Sequence, residues 1–294
     1  MKYYYYPGCS MDSTAVTYKQ SIEYVAEQIG MELLEIPDWN CCGATAAHTR
    51  NELMALSLPA RNLALAEKDG KNLDVAVPCA SCYSRMKTTV YEARKDDGTR
   101  KEIEDIIGMD FQAKQDVWSF LDIFSQKEVM EACKSKIKGS LEGLKVACYY
   151  GCLTSRPRKV TNPDSTENPM QMDDIIALTG AETVEWDFKT ECCGASHQVD
   201  SPGASRSLIE NILANAKANG ARAIVTACPL CNLNLDMREG EINKMKSVGY
   251  DLPVYQFTQL LAVSMGANAK ESGIHKHFYP AFERINTFLR RAGE

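Results

Sequence analysis

The sequence predicts an α/β protein made of two homologous parallel-sheet, Rossmann-like domains that are related by pseudo-twofold symmetry. Five cysteines in the order C, CC, C-x-x-C occur twice, about 145 residues apart, which is the size of a domain. In both halves strand-like apolar runs alternate with helical segments, and this alternation predicts parallel strands joined by right-handed crossovers. We place the domains at residues 1–140 and 141–294.

The two cysteine sets contain ten of the twelve cysteines in the chain. The first set is Cys9, Cys41, Cys42, Cys79 and Cys82, and the second set is Cys152, Cys192, Cys193, Cys228 and Cys231. A glycine follows the adjacent pair in each set, at Gly43 and Gly194. In the second set 39 residues rather than 31 precede the pair, so the second unit carries extra residues there.

In the first unit, apolar runs predict strands at residues 2–6, 31–36 and 74–77. A helix between the first two strands is indicated by apolar residues at i, i+3, i+4 and i+7, namely Ile22, Val25, Ala26 and Ile29. We expect Asp12 or Ser13 to cap this helix and Gly30 to end it. The next helix, interrupted at Pro59, is expected to extend to residues 69–70.

The second unit repeats this order, with strands predicted at residues 145–150, 183–188 and 223–226. Its middle strand alternates, with one side formed by Val184, Trp186 and Phe188. An apolar helix follows the cysteine pair and ends at Gly220. Beyond the cysteines, residues 117–120 resemble residues 254–257, and each segment begins a further apolar helix.

Each cysteine group directly follows a predicted strand. Open α/β sheets bind ligands at the carboxyl ends of their strands, so we expect thiols about 30 to 70 residues apart in sequence to converge on one site per unit. Two such units would most simply pack around a pseudo-twofold axis, which could bring their sites close together.

Composition limits the classes of protein that the chain can represent. With 294 residues, 45% of them apolar, it can bury two ordinary cores. The net charge of -6 argues against a nucleic-acid binder, because phosphate affinity depends on accumulated Lys and Arg. The sequence has no apolar run of roughly 18 residues and no apolar signal segment near Met1. We therefore expect an unexported, cytoplasmic protein without a membrane span.

Twelve cysteines in an unexported chain indicate metal or catalytic chemistry, because the reducing cytosol opens disulfides. A tetrahedral zinc site would use four ligands, whereas each unit offers five. Iron-sulfur clusters suit the sets better, because thiolates from distant points can hold several irons and adjacent cysteines can bind two irons of one cluster. The usual cubane motif of three closely spaced cysteines is absent, which predicts an unusual cluster.

Thiol-disulfide exchange is an alternative, with Cys79-x-x-Cys82 and Cys228-x-x-Cys231 as dithiols. Such motifs normally open a helix, which lowers the pKa of the first thiol. This interpretation leaves six repeated cysteines without a role. The two cysteines outside the repeat, Cys133 and Cys148, are expected to be packing residues.

The extra residues of the second unit lie in the segment 154–163, which is rich in proline and positive charge. Its cations Arg156, Arg158 and Lys159 lie a few residues beyond Cys152. One interpretation is a solvated loop. The other is an anion clamp beside the second site, because the guanidinium fork matches sulfonate or phosphate.

The four histidines show no metal-binding spacing. His48 and His197 each follow a Cys-Cys-Gly turn and could reach a site. With Arg50 they are the alternative location for an anion site. We expect His275 and His277 to lie at the surface.

With these motifs the chain resembles a known family, the cysteine-rich proteins with two Cys-Cys-Gly domains. The resemblance covers most of the chain and includes the openings Tyr6-Pro7-Gly8-Cys9 and Tyr149-Tyr150-Gly151-Cys152. Within the family the pattern is most similar to the B subunits of the CoB-CoM heterodisulfide reductases of methanogens. The 34-residue gap before Cys228 is slightly shorter than the family's usual spacing.

The resemblance implies a cofactor, a reaction and partners. Each five-cysteine set would bind one noncubane [4Fe-4S] cluster, and the two clusters would face each other across the substrate. The implied enzyme is an oxidoreductase that reduces the heterodisulfide CoM-S-S-CoB to coenzyme M and coenzyme B, the last step of methanogenesis. Electrons would arrive through a ferredoxin-like C subunit and a flavin-containing A subunit, with a hydrogenase or formate dehydrogenase as the source.

Other functions remain open. Inside the family these are an iron-sulfur subunit of a glycolate, lactate or succinate oxidoreductase, and a reductase of another disulfide. Outside the enzyme class, the chain would be an electron-transfer or zinc-held scaffold subunit. A substrate that carries sulfonate and phosphate would leave a cationic pocket between the two cysteine sets, whereas a quinone would leave an apolar one.

Overall fold

Two four-stranded sheets, one in each half of the chain, organise the computed structural model. The structure describes residues 1–44, 47–278 and 281–291. All strand pairings within the two sheets are parallel. The predicted α/β class with two parallel-sheet units is confirmed. The boundary between residues 140 and 141 stays a prediction.

The first half forms a sheet in the order β2-β1-β3-β4. Its elements are β1 (Lys2–Tyr5), α1 (Val16–Ile29), β2 (Glu32–Glu35), α2 (Ala47–Arg50), α3 (Glu52–Lys68), β3 (Val75–Val77), α4 (Ala80–Lys95), α5 (Asp97–Ile107), β4 (Val117–Ser119), α6 (Phe120–Phe124) and α7 (Lys127–Lys136). In the register of this sheet, Tyr4 of β1 lies opposite Leu34 of β2 and Val75 of β3.

The second half forms a sheet in the order β7-β6-β8-β9, which repeats the first topology strand by strand. Its elements are β5 (Gly139–Ser140), β6 (Lys145–Tyr149), α8 (Arg158–Thr161), α9 (Gln171–Ala177), β7 (Glu182–Thr183), α10 (Pro202–Ala218), β8 (Ala223–Thr226), α11 (Pro229–Lys246), β9 (Val254–Gln256), α12 (Phe257–Ser264), α13 (Ala281–Asn286) and β10 (Arg290–Arg291). The short strands β5 and β10 pair antiparallel.

Helix α1 ends where the sequence predicts but begins without the predicted cap. It ends at Gly30 in the left-handed conformation (φ 68°), as expected. The expected caps are wrong: the N-cap is Ala15, without a side-chain hydrogen bond. Both expected side chains have other partners, because Ser13 donates to the Cys9 carbonyl at 2.9 Å and Asp12 forms an ion pair with Lys19.

Two further element boundaries differ from the sequence expectation. Helix α3 continues through Pro59, because packing of this buried segment against its neighbours outweighs the lost hydrogen bond. The alternating segment 184–188 is not a strand, and β7 stops at Thr183. There the chain turns away from the sheet, and the Lys189 carbonyl accepts hydrogen bonds from the Tyr150 and Gly151 N–H groups.

The largest hydrophobic core is shared by both halves. It joins Tyr18 and Phe124 of the first half to Val146, Tyr255 and Phe257 of the second. Two smaller cores each lie mainly in one half. Helices α1 and α12 pack together across the halves, with a buried hydroxyl pair, Ser21 and Thr258, 2.6 Å apart. Among the helices of the described ranges, none has the length and apolar character needed to cross a membrane.

Candidate metal centre

The ten repeated cysteines lie at the carboxyl edges of the two sheets. Those of the first half follow β1, β2 and β3, and those of the second follow β6, β7 and β8. Cys79 and Cys228 are the N-cap residues of α4 and α11, where the helix dipole favours a thiolate. The cysteines of each half therefore lie together at the carboxyl ends of the strands, as expected.

Within each half the thiols form matching pairs. The sulfur atoms of Cys42 and Cys82 lie 3.1 Å apart, and their counterparts Cys193 and Cys231 lie 3.4 Å apart. The first cysteine of each set contacts the first member of the adjacent pair; these contacts are Cys9–Cys41 and Cys152–Cys192. The repeat in sequence is thus also a repeat in geometry.

The two sets meet at the interface between the halves. The thiol of Cys79 in the first set interacts electrostatically with that of Cys228 in the second. Cys228 is also buried within the hydrophobic core of the first half, together with Cys79 and Cys82. The ten thiols therefore form one continuous group, which is exposed at Cys9 and Cys41 and buried at its centre.

The thiol contacts separate the pKa values of the paired groups. A hydrogen bond from Cys82 lowers the pKa of Cys42 to about 7, and one from Cys152 lowers that of Cys192 to about 6. Hydrogen bonds from Cys231 and Cys79 likewise lower the pKa of Cys228. Both sets therefore contain thiols that ionise readily, and thiolate is the form that binds metals.

Two tyrosines fix the peptide that precedes each adjacent cysteine pair. The Tyr6 hydroxyl donates to the Asn40 carbonyl at 2.9 Å, and the Tyr149 hydroxyl donates to the Glu191 carbonyl at 2.6 Å. In both halves the glycine after the pair directs its N–H toward the first sulfur of the pair. The cysteine pairs are thereby held in equivalent conformations.

Glycines leave space beside the innermost sulfur atoms. A Cβ at Gly8 would lie 3.2 Å from the Cys82 sulfur, and one at Gly151 would lie 3.3 Å from the Cys231 sulfur. Both residues have positive φ, 73° and 70°, which disfavours other L-residues. The openings therefore keep the sulfur atoms accessible to a bound group.

The donor set fits an iron-sulfur group. It consists of ten thiols, the ligands that iron-sulfur clusters use. In the described residues, which include all ten, no three His, Cys, Asp or Glu side chains are grouped to hold one metal ion. The thiols lie in contacting pairs, and each half offers five of them, one more than the four ligands of a tetrahedral zinc ion.

The three cations of the segment 154–163 have different surroundings. Arg156 pairs with Glu167 at 2.7 Å and donates to the Thr190 carbonyl at 3.1 Å. Lys159 lies over the Tyr91 ring of the first half, 5.5 Å from its centroid. Arg158 is exposed in α8. The segment contacts the first half, so it is not simply a solvated loop.

The other residues proposed for an anion site belong to different halves of the chain, with His48 and Arg50 in the first and His197 in the second. His197 is exposed, lies 3.5 Å from Asp200 and acts electrostatically on Cys192, which places it near the second set. Arg50 is exposed at the end of α2. The side chain of His48 lies outside the described residues. His277, which we expected at the surface, is buried with 2% of its side chain exposed, because it packs between α11 and α12.

Sequence reasoning missed Arg85, which lies three residues beyond Cys82 on α4 and therefore on the same helical face. Its positive charge helps to lower the pKa of Cys42. The equivalent residue of the second half is Asn234, whose amide donates to the Cys193 carbonyl at 2.7 Å. The spacing from the last cysteine could have identified both residues.

Sequence reasoning also missed the buried pair of Lys189 and Asp173, 3.1 Å apart, each with 4% of its side chain exposed. Asp173 also accepts a hydrogen bond from the Tyr150 hydroxyl at 2.6 Å. This network anchors the turn before Cys192 to the segment before Cys152. The two cysteines that lack repeat counterparts, Cys133 and Cys148, are buried in the shared core.

The fold and the thiols define a class of proteins: two-domain α/β redox proteins with a cysteine-lined site at the interface of the domains. The chain matches the family described as "CCG: Cysteine-rich domain" at residues 3–87 and 146–236, more than half of its length, and it belongs to this family. The resemblance recognised from the motifs is thereby confirmed.

Known relatives include subunits of two enzymes. The chain is 33% identical over 280 residues, 94% of this chain and 96% of the relative, to the 8-methylmenaquinol:fumarate reductase membrane anchor subunit of Wolinella succinogenes. It is 29% identical over 276 residues, 92% of this chain and 91% of the relative, to the B subunit of the ferredoxin/F(420)H(2)-dependent CoB-CoM heterodisulfide reductase of Methanosarcina acetivorans. The chain is therefore an iron-sulfur redox subunit of an oxidoreductase.

A solved structure shares the fold. A hypothetical protein from Helicobacter pylori superposes with a TM-score of 0.72 at 11% identity, over 95% of this chain and 52% of its own. This chain thus spans about half the length of that structure. At this identity the likeness shows the fold alone.

Proposed function

We propose that the chain binds one noncubane [4Fe-4S] cluster with each five-cysteine set and uses the pair to exchange two electrons with one substrate. The burial of Cys228 in the same core as Cys79 and Cys82 is the observation that supports this proposal, because it places the two sets side by side. Bound clusters would supply one-electron steps. Two adjacent sets would let a two-electron reaction finish without releasing a radical.

The chain's own residues shield this site from water. Leu153 and Leu230, each next to a cysteine of the second set, pack against the core of the first half that contains Cys42, Cys79 and Cys82. The Tyr6 and Tyr149 hydroxyls hold the peptides of the cysteine pairs in place. The expected result is a partly dry interface in which the thiolates keep fixed positions.

The first candidate reaction is reduction of the heterodisulfide CoM-S-S-CoB. Two electrons and two protons break the S–S bond and give two thiols. The relative from Methanosarcina acetivorans supports this candidate. In this function the chain would be a cytoplasmic B subunit that receives electrons through a ferredoxin-like C subunit and a flavin-containing A subunit, with a hydrogenase or formate dehydrogenase as source.

The second candidate reaction is oxidation of a quinol, which yields a quinone, two electrons and two protons. The contact between the sets is apolar at Leu153 and Leu230. The nearby cations Arg156 and Lys159 already contact Glu167 and Tyr91. These observations favour an apolar substrate, and the relative named for 8-methylmenaquinol agrees with it. In this function the chain would work at a membrane surface.

Anaerobic purification followed by metal analysis tests the cofactor proposal. We expect about eight irons and eight sulfides per chain and little zinc, because two four-iron clusters contain that number. Replacing Cys42 or Cys193 by Ser should damage one cluster, and replacing Cys133 should leave both intact. Stoichiometric zinc in protein never exposed to oxygen would contradict the proposal.

Turnover with each substrate separates the two reactions. Reduced viologen with CoM-S-S-CoB tests the first, and a reduced naphthoquinol with an oxidised dye tests the second. If the anion-clamp interpretation is right, Arg158→Glu should raise the KM for the heterodisulfide at least about tenfold, as loss of a charge-assisted hydrogen bond predicts. Arg222→Glu is the control, because Arg222 directly precedes β8 and so lies at the amino end of that strand, away from the cysteines at the carboxyl ends. Equal KM values in both variants would reject the clamp.

A further inference from the structure

A cavity outside the cysteine sites lies where the two halves meet the C-terminal segment. Its volume is about 260 Å³, and it lies between the start of α1, the first turns of α11 and residues 276–278. Its apolar walls are Val16, Leu233 and Phe278. Ser13, Thr14 and Thr17 form another part of the lining.

A buried acid and a buried imidazole line this cavity. Asp236 and His277 have 6% and 2% of their side chains exposed, and Asp236 Oδ2 lies 3.5 Å from His277 Nδ1. Asp236 Oδ2 accepts a hydrogen bond from the Phe278 N–H at 3.1 Å, and His277 Nε2 contacts Gln259.

Two atoms of this pair have no partner. Within the part of the chain that the structure describes, Asp236 Oδ1 and His277 Nδ1 have no hydrogen-bond partner. A buried polar atom without a partner costs about 1–3 kcal/mol. Native structures seldom leave such atoms without a reason, and a bound water, ion or ligand that completes the hydrogen bonding is one.

We propose that this cavity binds the ring of a quinol, with Asp236 as the group that accepts its hydroxyl protons and His277 as a hydrogen-bond partner beside it. The proposal rests on the second of the two reactions proposed above. A quinol needs apolar walls for its ring and a proton acceptor near a hydroxyl oxygen. The cavity provides both, because Val16, Leu233 and Phe278 flank it and the carboxyl group of Asp236 belongs to a lining residue.

The cavity is close to both cysteine sets. Ser13, which lines it, donates a hydrogen bond to the Cys9 carbonyl at 2.9 Å. Asn232, which also lines it, directly follows Cys231. Oxidation of a bound quinol to the quinone releases two electrons and two protons. Iron-sulfur groups held by the cysteines would supply the electron acceptors, and Asp236 would accept the hydroxyl protons one after the other. The protons then pass to solvent.

The charges around the pair set its pH behaviour. Burial, with a contribution from Glu239, raises the pKa of Asp236 to about 7, and burial together with His275 lowers the pKa of His277 to about 4. Lys276 also lines the cavity, and the part of α1 that lines it has no titratable residue. Above pH 7 the carboxylate can accept a proton, so quinol oxidation should become faster as the pH rises from 6 to 8.

Two variants test the proposal in the intact chain with its iron-sulfur groups loaded. Thr14→Trp fills the cavity from an exposed position, so it should weaken binding of menadione, a naphthoquinone probe, at least about tenfold in a fluorescence titration. Asp236→Asn can still donate a hydrogen bond to the quinone but cannot accept a proton. It should bind menadione within about twofold of wild type.

The Asp236→Asn variant should oxidise menadiol at least about tenfold more slowly, without the rise above pH 7. Asp116→Asn is the control, because Asp116 is also a carboxylate next to a basic side chain but forms an exposed ion pair with Arg94. Unchanged menadione binding by Thr14→Trp would overturn the location while leaving the quinol reaction standing. Full menadiol oxidation by Asp236→Asn would overturn the acceptor role. Failure of wild type to bind menadione would overturn both the cavity proposal and the quinol function.

Discussion

Arg85 and Asn234 make the two cysteine sets electrically different. They occupy equivalent positions three residues beyond the last cysteine of each set. Arg85 places a positive charge near Cys42, whereas Asn234 offers the peptide of Cys193 a neutral amide. A fixed positive charge stabilises an added electron, so the group bound by the first set should be the easier one to reduce.

Replacing Arg85 by Gln tests this difference. We expect the midpoint potential of one cluster to shift downward while that of the other stays unchanged, because only the first set loses a neighbouring charge. A redox titration followed by electron paramagnetic resonance measures both. Arg94→Gln is the control, since Arg94 lies on the same helix but pairs with Asp116. A downward shift of the same size in the control would contradict the assignment.

Asp236 should make the folding stability depend on pH. Its pKa is about 7 in the folded chain because of burial, but about 3.9 when unfolded. The wild type should therefore lose stability as the pH rises between these values, and Asp236→Asn should not. The melting temperature of the variant relative to wild type should be higher at pH 8 than at pH 5. His277 is present in both proteins, so its titration largely cancels in this comparison. If the difference in melting temperature between variant and wild type were the same at pH 5 and pH 8, the raised pKa of Asp236 would be refuted.

At the scale of single elements, the space beside Gly8 and Gly151 should decide whether the proposed clusters can be held. Gly151→Ala would add a Cβ 3.3 Å from the Cys231 sulfur at a φ of 70°. We expect iron content to fall by about half, because only the second set is affected. Gly240→Ala is the matched control, since a Cβ there contacts nothing within 4 Å. A normal iron content in Gly151→Ala would show that the opening tolerates a side chain.

Sequence patterns predicted most elements because the strands and helices carry strong apolar periodicity. Strand β8 begins and ends where expected, and α1 ends at Gly30. The failures have tertiary causes. Residues 184–188 alternate like a strand, but Trp186 uses its indole N–H to bind the Cys148 carbonyl while the chain turns toward Lys189.

The thiol sets were predictable from spacing alone, whereas other parts of the site were not. Local sequence gives no sign that His277 is buried, because contacts with α11 and α12, distant in sequence, bury it. In the same way, the contact of Lys159 with Tyr91 depends on how the halves pack. Contacts of this kind between the halves depend on tertiary packing, about which local periodicity carries no information.

At the scale of the whole molecule, the shared core predicts that the two halves unfold together. Phe124 of the first half packs against Phe257 of the second, with ring centroids 5.4 Å apart. Phe124→Ala should cost about 3–5 kcal/mol and leave a single unfolding transition. Chemical denaturation followed by fluorescence measures both. Ile106→Ala, at a residue 56% exposed, should change stability by less than about 0.5 kcal/mol. Two separate transitions would contradict the shared core.

The contact between Cys79 and Cys228 also constrains how the protein matures. Residue 228 leaves the ribosome about 150 residues after residue 79, which is roughly 7 to 30 s of synthesis. During that interval the first five thiols are complete in sequence, but the residues that bury their inner end have not yet been made. Cluster insertion into a lasting, covered site must therefore follow translation of both halves. Nascent chains should be most vulnerable to oxidants while the ribosome is still reading the second half.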